Sequence, residues 1–404
     1  RDGGWLLPAP ASAQEEGLEA VNCRMSARKR ETGGDARATI EQDGYAGSEA
    51  TADDELPWAV APDKVRRQAL RHLFIARDIE ERIVSVVKSA VRDRHLHAEA
   101  QNVIITGETG VGKSEIMKRI LAAHPEGRDP DTRCVVRPVL YVDVRNCSTP
   151  KAVAQAMLVQ LMTLNGEPLV DIDKLVNSVK SLGVPEITRR VKTQMMAQGV
   201  VLAMLDEFHN TVSDNGTDRL NRIANWVRDF AKSKSRSAAK PDGELAETIV
   251  FVLIGTKKVE LIVDPSLNDE LASITPYRIK VDRYRYGSDE EKETFRALLA
   301  DIDDELPFDE HAGLDEPSLA EKLHFATFGL LRQLGIIVVK AADLAIEDGS
   351  DRIREHHLHA AVELKRGVLE SHLMSAEAEG EERRIVENPF APPEPVARNK
   401  VSGK

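Results

Sequence analysis

Cysteine is scarce in this chain. There are three, Cys23, Cys134 and Cys147, an odd number in no CxxC or Cys/His ligand spacing. That excludes a disulfide framework or a structural zinc site and makes a reducing, cytoplasmic compartment the expectation. Aromatic residues are few as well, 4% beside a hydrophobic content of 42% that suits a soluble globular protein. No apolar run approaches the ~20 residues of a spanning helix, so no membrane partner is expected. The opening "RDGGWLLPAPASAQEE" carries only a short apolar run broken by prolines and reads as noise rather than as a signal peptide. Met25, ahead of "SARKRE", is a candidate start. An excess of positive charge is also missing: the net charge is -12, which argues against coating nucleic acid over the whole surface and leaves room for a local basic groove.

What is present is a long, ordered middle. At 404 residues the chain has room for one large or two ordinary domains. Glu31 to Glu55 holds eight acids against one base and cannot bury a core, so residues 1–61 are expected to be disordered or non-native. Residues 64–94 place Leu70, Leu73, Ile75, Ile79, Ile83, Val86 and Val87 at helical spacing, which predicts two helices. Strands follow at 102–106, 137–144, 200–205, 248–255 and 277–281, with helices between them after 112 and near 150–163, 185–198 and 217–232. Continuous apolar strands alternating with helices predict an α/β fold with a parallel sheet covered on both faces. After Ser288 the pattern is helical only, at 288–304, 317–327, 329–347 and 355–373. The expected domains are therefore 62–287, the nucleotide-binding α/β domain, and 288–373, a helical subdomain. Residues 374–404 are expected to form a flexible Pro-rich tail, in which "NPF" (388–390) is a candidate docking peptide.

The chemistry gathers on two segments. Residues 107–114, "GETGVGKS", match GxxxxGK[ST] between a predicted strand and a predicted helix, the context a phosphate-binding loop requires. Gly107, Glu108, Thr109, Gly110, Val111 and Gly112 would turn backbone N–H groups onto phosphates at a helix N-terminus. Lys113 adds a point charge to the β- and γ-phosphates, and the Ser114 hydroxyl ligates Mg²⁺. The second segment is "VVLAMLDEFHN" (200–210), a buried strand ending in two acids. Asp206 would hold Mg²⁺ through water, and Glu207 would polarise an attacking water. Thr256, ending "VFVLIGT", is either a contact to the γ-phosphate or attacking water or a helix N-cap. Arg332 in "FGLLRQLG" reaches back across the nucleotide or is a solvated helix residue. His209 has no second ligand at metal spacing and is read as a positional or hydrogen-bonding group. The basic clusters 189–192, 232–236 and 282–286 are solvated faces or parts of a nucleic-acid groove.

The loop "GETGVGKS", the strand end "LDEFHN", "VLIGT", "GLLRQL" and "KAADLAIEDGSDRI...HLHAAV" together resemble the TniB family. These are AAA+ ATPases of transposition modules, related to TnsC-type target-selection regulators. The resemblance spans roughly residues 65–370. It implies an AAA+ parallel sheet sandwiched by helices, with a C-terminal all-helical lid subdomain. Lys113 and Ser114 fall on its Walker A positions, Asp206 and Glu207 on Walker B, Thr256 near sensor 1 and Arg332 near sensor 2. One departure is visible. Where family members carry an arginine after an "L-A" segment, this chain has "LASIT" (271–275), and Arg278 is the nearest substitute.

The implied activity is Mg²⁺-dependent hydrolysis of ATP to ADP and phosphate. The implied partners are double-stranded DNA, a DDE transposase, a target-selector protein and further copies in an ATP-bound ring or filament. Candidate DNA contacts are Lys180, Arg189, Arg190 and Lys192. Two alternatives remain on the same fold: a nucleotide-switched signalling or defence scaffold, and a helicase-loader-like ATPase.

Overall fold

The computed structural model describes residues 57–71, 73, 78–94, 96, 100–212, 217–231, 248–375 and 388–391. The expectations for residues 1–56, for Ile75, for the basic cluster 232–236 and for most of the tail lie outside the described residues. The chain divides into two units: an α/β unit from Ala76 to Arg283, and a helical unit that includes residues 57–71 and runs on from Tyr284.

In the α/β unit, five strands form one parallel sheet: β1 (Val103–Gly107), β2 (Val139–Asp143), β3 (Leu202–Asp206), β4 (Val250–Gly255) and β5 (Tyr277–Val281). Their order is β2-β3-β4-β1-β5. Every residue of β1, β3 and β4 is buried, which is why these segments read as unbroken apolar runs rather than as alternation. Around the sheet lie α2 (Asp78–Asp93), α3 (Lys113–Ala122), α4 (Pro150–Leu161), α5 (Ile172–Lys180), α6 (Val184–Ala197), the short α7 (His209–Val212), α8 (Thr217–Ala231) and α9 (Pro265–Ser273). Chain-adjacent β1 and β2 are separated by β3 and β4, so the carboxyl ends of β1, β3 and β4 converge where connections diverge. That is where open α/β sheets hold ligands.

Arg137, just before β2, is almost fully buried. Its guanidinium pairs with Glu126 at 2.7 Å and donates to the carbonyls of Gln160 and Thr163, pinning the end of α4 to the sheet.

The helical unit begins with α1 (Asp63–Arg71), which the sequence reading assigned to the α/β domain. Its Leu70 is buried in the helical core, and Arg66 donates to the Pro307 carbonyl at 3.1 Å. An amphipathic helix shows which face it buries, not against what, and that is the reason for the difference. The other helices are α10 (Asp289–Asp304), α11 (Pro317–Thr327), α12 (Leu331–Glu347) and α13 (Glu355–Ser375). Ser288 and Glu291 form a reciprocal capping box at the start of α10. Asp303 accepts the backbone N–H groups of Ala312, Gly313 and Leu314. His357 accepts the Arg354 N–H on Nδ1, which leaves the proton on Nε2 to face Asp348 at 2.7 Å. Asp348, His356 and His357 bring would-be metal ligands together, but the Nε2 lone pair a metal needs is spent on that proton. No single described helix is long and apolar enough to cross a membrane.

The tail differs from the expected flexible segment at one point: Phe390 is buried in the helical core and Asn388 is 8% exposed. A three-residue anchor has no periodicity, so the sequence pattern does not reveal its seat.

Candidate functional site

The loop between β1 and α3 is shaped by close approaches. A Cβ on Gly107 would stand 2.3 Å from the carbonyl oxygen of Val281 on the adjacent β5, so no larger residue fits there. Gly110 and Gly112 take φ of 91° and 93°, a region closed to most residues, and Gly112 caps α3. Glu108, Thr109 and Val111 complete the turn: Val111 is buried, Thr109 exposed, and Glu108 lies 3.9 Å from Arg283. Lys113 is 8% exposed, and its ammonium donates to the carbonyls of Gly107 and Glu108, each at 2.7 Å. Burial pulls its pKa below the ordinary lysine value, against the opposing pull of Glu207 and Asp206. Ser114 follows on the first turn of α3.

Asp206 closes β3 in a buried position. One carboxylate oxygen accepts the Tyr141 hydroxyl at 2.8 Å, and the other accepts the Glu207 N–H at 2.8 Å. Burial, followed by the Asp206 charge, pushes the Tyr141 phenol far above its ordinary value, so Tyr141 stays a donor. Glu207 then takes φ of 58°, an uncommon left-handed backbone for a residue with a side chain. The strand ends at Asp206, and the chain turns at Glu207.

His209 opens α7 with Nε2 3.6 Å from the Glu207 carboxylate. Its Nδ1 is buried and without a partner. Burial lowers the His209 pKa, and Glu207 opposes that. The ring fits because Gly255 has no side chain: a Cβ there would lie 3.0 Å from His209 Nδ1. Thr256 occupies the N-cap position of the 3-10 turn Lys257–Val263 yet makes no capping bond, and its buried hydroxyl has no partner. Buried polar atoms are rarely left unpaired, so the Thr256 hydroxyl and His209 Nδ1 are candidate partners for a polar ligand at this sheet end.

Other expected residues sit elsewhere. Arg332 is in the helical unit, near the start of α12, beside a basic cleft of about 540 Å³ that Arg67, Arg71, Lys340 and Lys365 also line. Arg278 is on β5 and donates to the Val263 carbonyl at 3.0 Å. Lys180 ends α5, exposed. Arg189 and Arg190 on α6 share Glu186 at 2.8 and 3.4 Å, and Lys192 bonds the Asp229 carbonyl. Glu186 therefore compensates only part of that patch's positive charge.

Sequence reasoning missed Tyr141 and Arg145. The first holds Asp206; the second is exposed, bound to Asp143 at 2.6 Å, and feels the charges of Glu207 and Asp206. The available signal was an isolated aromatic and an Asp-x-Arg at the end of β2, which becomes informative only once Asp143 is known to pair with Asp206 across the sheet.

A five-stranded parallel sheet flanked by helices, with a phosphate-binding loop after β1 and a helical C-terminal region, defines the AAA+ P-loop ATPase fold. The comparisons bear on the same region: residues 96–262 match the family model described as an AAA domain. Among solved structures, the chain is similar to the Aeropyrum pernix ORC1 protein in complex with DNA, at 16% identity and a TM-score of 0.49 over 77% of this chain and 72% of that one. It is also similar to the Aeropyrum pernix ORC2 protein in ADPNP-ADP complexes, at 15% identity and a TM-score of 0.48 over 74% and 71%. A third is the Thermotoga maritima RuvB Holliday junction branch migration motor, at 14% and 0.38 over 74% of each chain. A comparison with curated protein sequences finds no match.

Proposed function

We propose that the chain is an ATP-hydrolysing switch that assembles on double-stranded DNA and regulates transposition, marking a target and passing it to a DDE transposase. The observation that carries the ATPase part is the convergence of Lys113, Asp206, Glu207 and the partnerless Thr256 hydroxyl at one end of the sheet. The transposition part rests on the resemblance of "LDEFHN" and "AIEDGSDRI" to the TniB family.

Each residue has a task in hydrolysis. The backbone N–H groups of 107–112 wrap the phosphates, and Lys113 exchanges its two loop carbonyls for phosphate oxygens. Ser114 and Asp206 would hold Mg²⁺, which when bound neutralises charge on the phosphates. Tyr141 and the Glu207 N–H fix the Asp206 carboxylate. Glu207 orients a water and accepts its proton. Thr256 and Arg332 are carried as sensor positions, so Thr256→Ala and Arg332→Ala each slow hydrolysis about 10-fold with binding retained.

The deciding experiment is duplex DNA binding with and without a non-hydrolysable ATP analogue. Binding is weak without nucleotide, strong with it, largely sequence-independent and steeply weakened by salt. Charge reversal at Arg189 and Arg190 lowers DNA affinity and the salt slope and leaves ATP binding intact. Confirmed ATP binding with no DNA binding at low salt in either state would replace this reading with the signalling scaffold.

A further inference from the structure

The contact between the C-terminal segment and the helical unit has the anatomy of peptide recognition. Asn388 donates through Nδ2 to the His359 carbonyl at 3.0 Å and to the Glu363 carboxylate at 2.9 Å, both on α13. Its Oδ1 accepts the Phe390 N–H at 3.1 Å, closing a turn across Pro389, and the Ala391 N–H bonds back to the Asn388 carbonyl. The turn presents Phe390, 4% exposed, to the helical core, with the Lys322 ammonium of α11 5.8 Å from the ring centroid. Each feature has a chemical demand. The two acceptors need an NH₂ that Asp lacks, the turn needs a side-chain carbonyl, proline pre-sets the backbone, and the pocket needs an aromatic ring. Four residues carry the whole recognition, and residues 376–387 separate them from the end of α13.

We propose that this face of α11 and α13 is a binding site for an Asn-Pro-Phe turn, and that it accepts this turn from a second copy of the chain as well as from its own. Nothing in the four-residue contact depends on which chain supplies it, since the segment of a second copy presents identical groups. Twelve connecting residues span up to about 40 Å when extended, enough to reach a neighbouring copy. What favours the chain's own segment is tethering, at an effective concentration of order millimolar. Copies held side by side enjoy a comparable advantage. The site thus supplies a strap between copies independent of the nucleotide site.

The test uses the full chain with Asn388→Ala and Phe390→Ala, and a fluorescently labelled peptide of residues 385–396. The variant binds one peptide per chain. The wild-type chain, whose own segment competes, and a peptide carrying Phe390→Ala each show at least ~10-fold weaker binding. Adding Glu363→Lys to the variant removes binding. Should the double variant fail to fold, Asn388→Ala alone, which keeps the ring, makes the same comparison. In sedimentation velocity, a chain carrying only Glu363→Lys associates with the Asn388→Ala/Phe390→Ala chain, and neither associates with itself through this contact. Absence of saturable peptide binding to a folded variant, or equal binding of the Phe390→Ala peptide, overturns the site. Peptide binding without association of the two chains overturns the second copy as its source.

Discussion

The two units treat their polar groups in opposite ways. In the helical unit, buried polar groups are largely consumed in capping: Asp303 takes three backbone N–H groups, and His357 bridges Arg354 and Asp348. Among the described residues, the Gln333 amide and Arg366 Nε are exceptions, buried without a partner. In the α/β unit, Thr256 and His209 leave polar atoms unpaired at the same sheet end where Asp206 and Glu207 sit. Backbone strain follows the same division. Phe328, with φ of 53°, closes α11 in an ordinary left-handed cap. Glu207, with φ of 58°, sits at the end of a strand and aims a carboxylate. One unit spends most of its buried polar groups on shape; the other leaves two unpaired at the sheet end beside Asp206 and Glu207.

The comparison predicts where substitutions act. The largest stability effect belongs to Arg137, a buried, paired ion of the α/β unit. Arg137→Ala strips Glu126 and two carbonyls of their partner and costs about 3–5 kcal/mol in urea unfolding, with Arg137→Lys not restoring the paired geometry. Next come changes at the sheet end, which alter chemistry and not folding. Glu207→Gln keeps ATP binding and slows hydrolysis at least ~100-fold, while Lys113→Ala abolishes binding. Equal hydrolysis by wild type and Glu207→Gln would remove Glu207 from the mechanism. In the helical unit the reverse pattern holds. Asp303→Ala leaves three backbone donors unmet and costs about 2 kcal/mol, with nucleotide affinity per folded molecule unchanged.

The smallest effect is on pH. Hydrogen bonds from His357, then Ser350, hold the Asp348 carboxyl well below the usual range. A depressed folded pKa stabilises above the unfolded value and loses that contribution as pH falls through the folded one, so the loss begins below about pH 4. Asp348 is half exposed, and screening keeps the effect to about 0.5 kcal/mol. Asp348→Asn flattens the acid limb of the stability curve by that amount.

Local signals carried the strands and the long helices, because residues buried on two faces or one stripe write their environment into the pattern. β5 at 277–281 and α11 at 317–327 fall where periodicity places them. α5 and α9 were missed. α5 is short and mostly exposed, and α9 is interrupted at Asn268, whose φ of -152° breaks the helical period. The phosphate loop and the Asp206-Glu207 edge were legible because their chemistry demands fixed spacing. Tyr141 and the Asn388–Phe390 anchor were not, since each acquires meaning only through a partner distant in the chain.

The backbone at Glu207 has a consequence for any population of variants. A left-handed residue with a side chain sits roughly 1–2 kcal/mol above glycine in the same conformation. Selection for thermal stability alone therefore favours Glu207→Gly, and a library sorted by melting temperature enriches the very molecules that have lost the carboxylate proposed to orient the attacking water. Sorting by turnover restores glutamate and accepts the softer fold. The two screens, run on one library, pull position 207 in opposite directions.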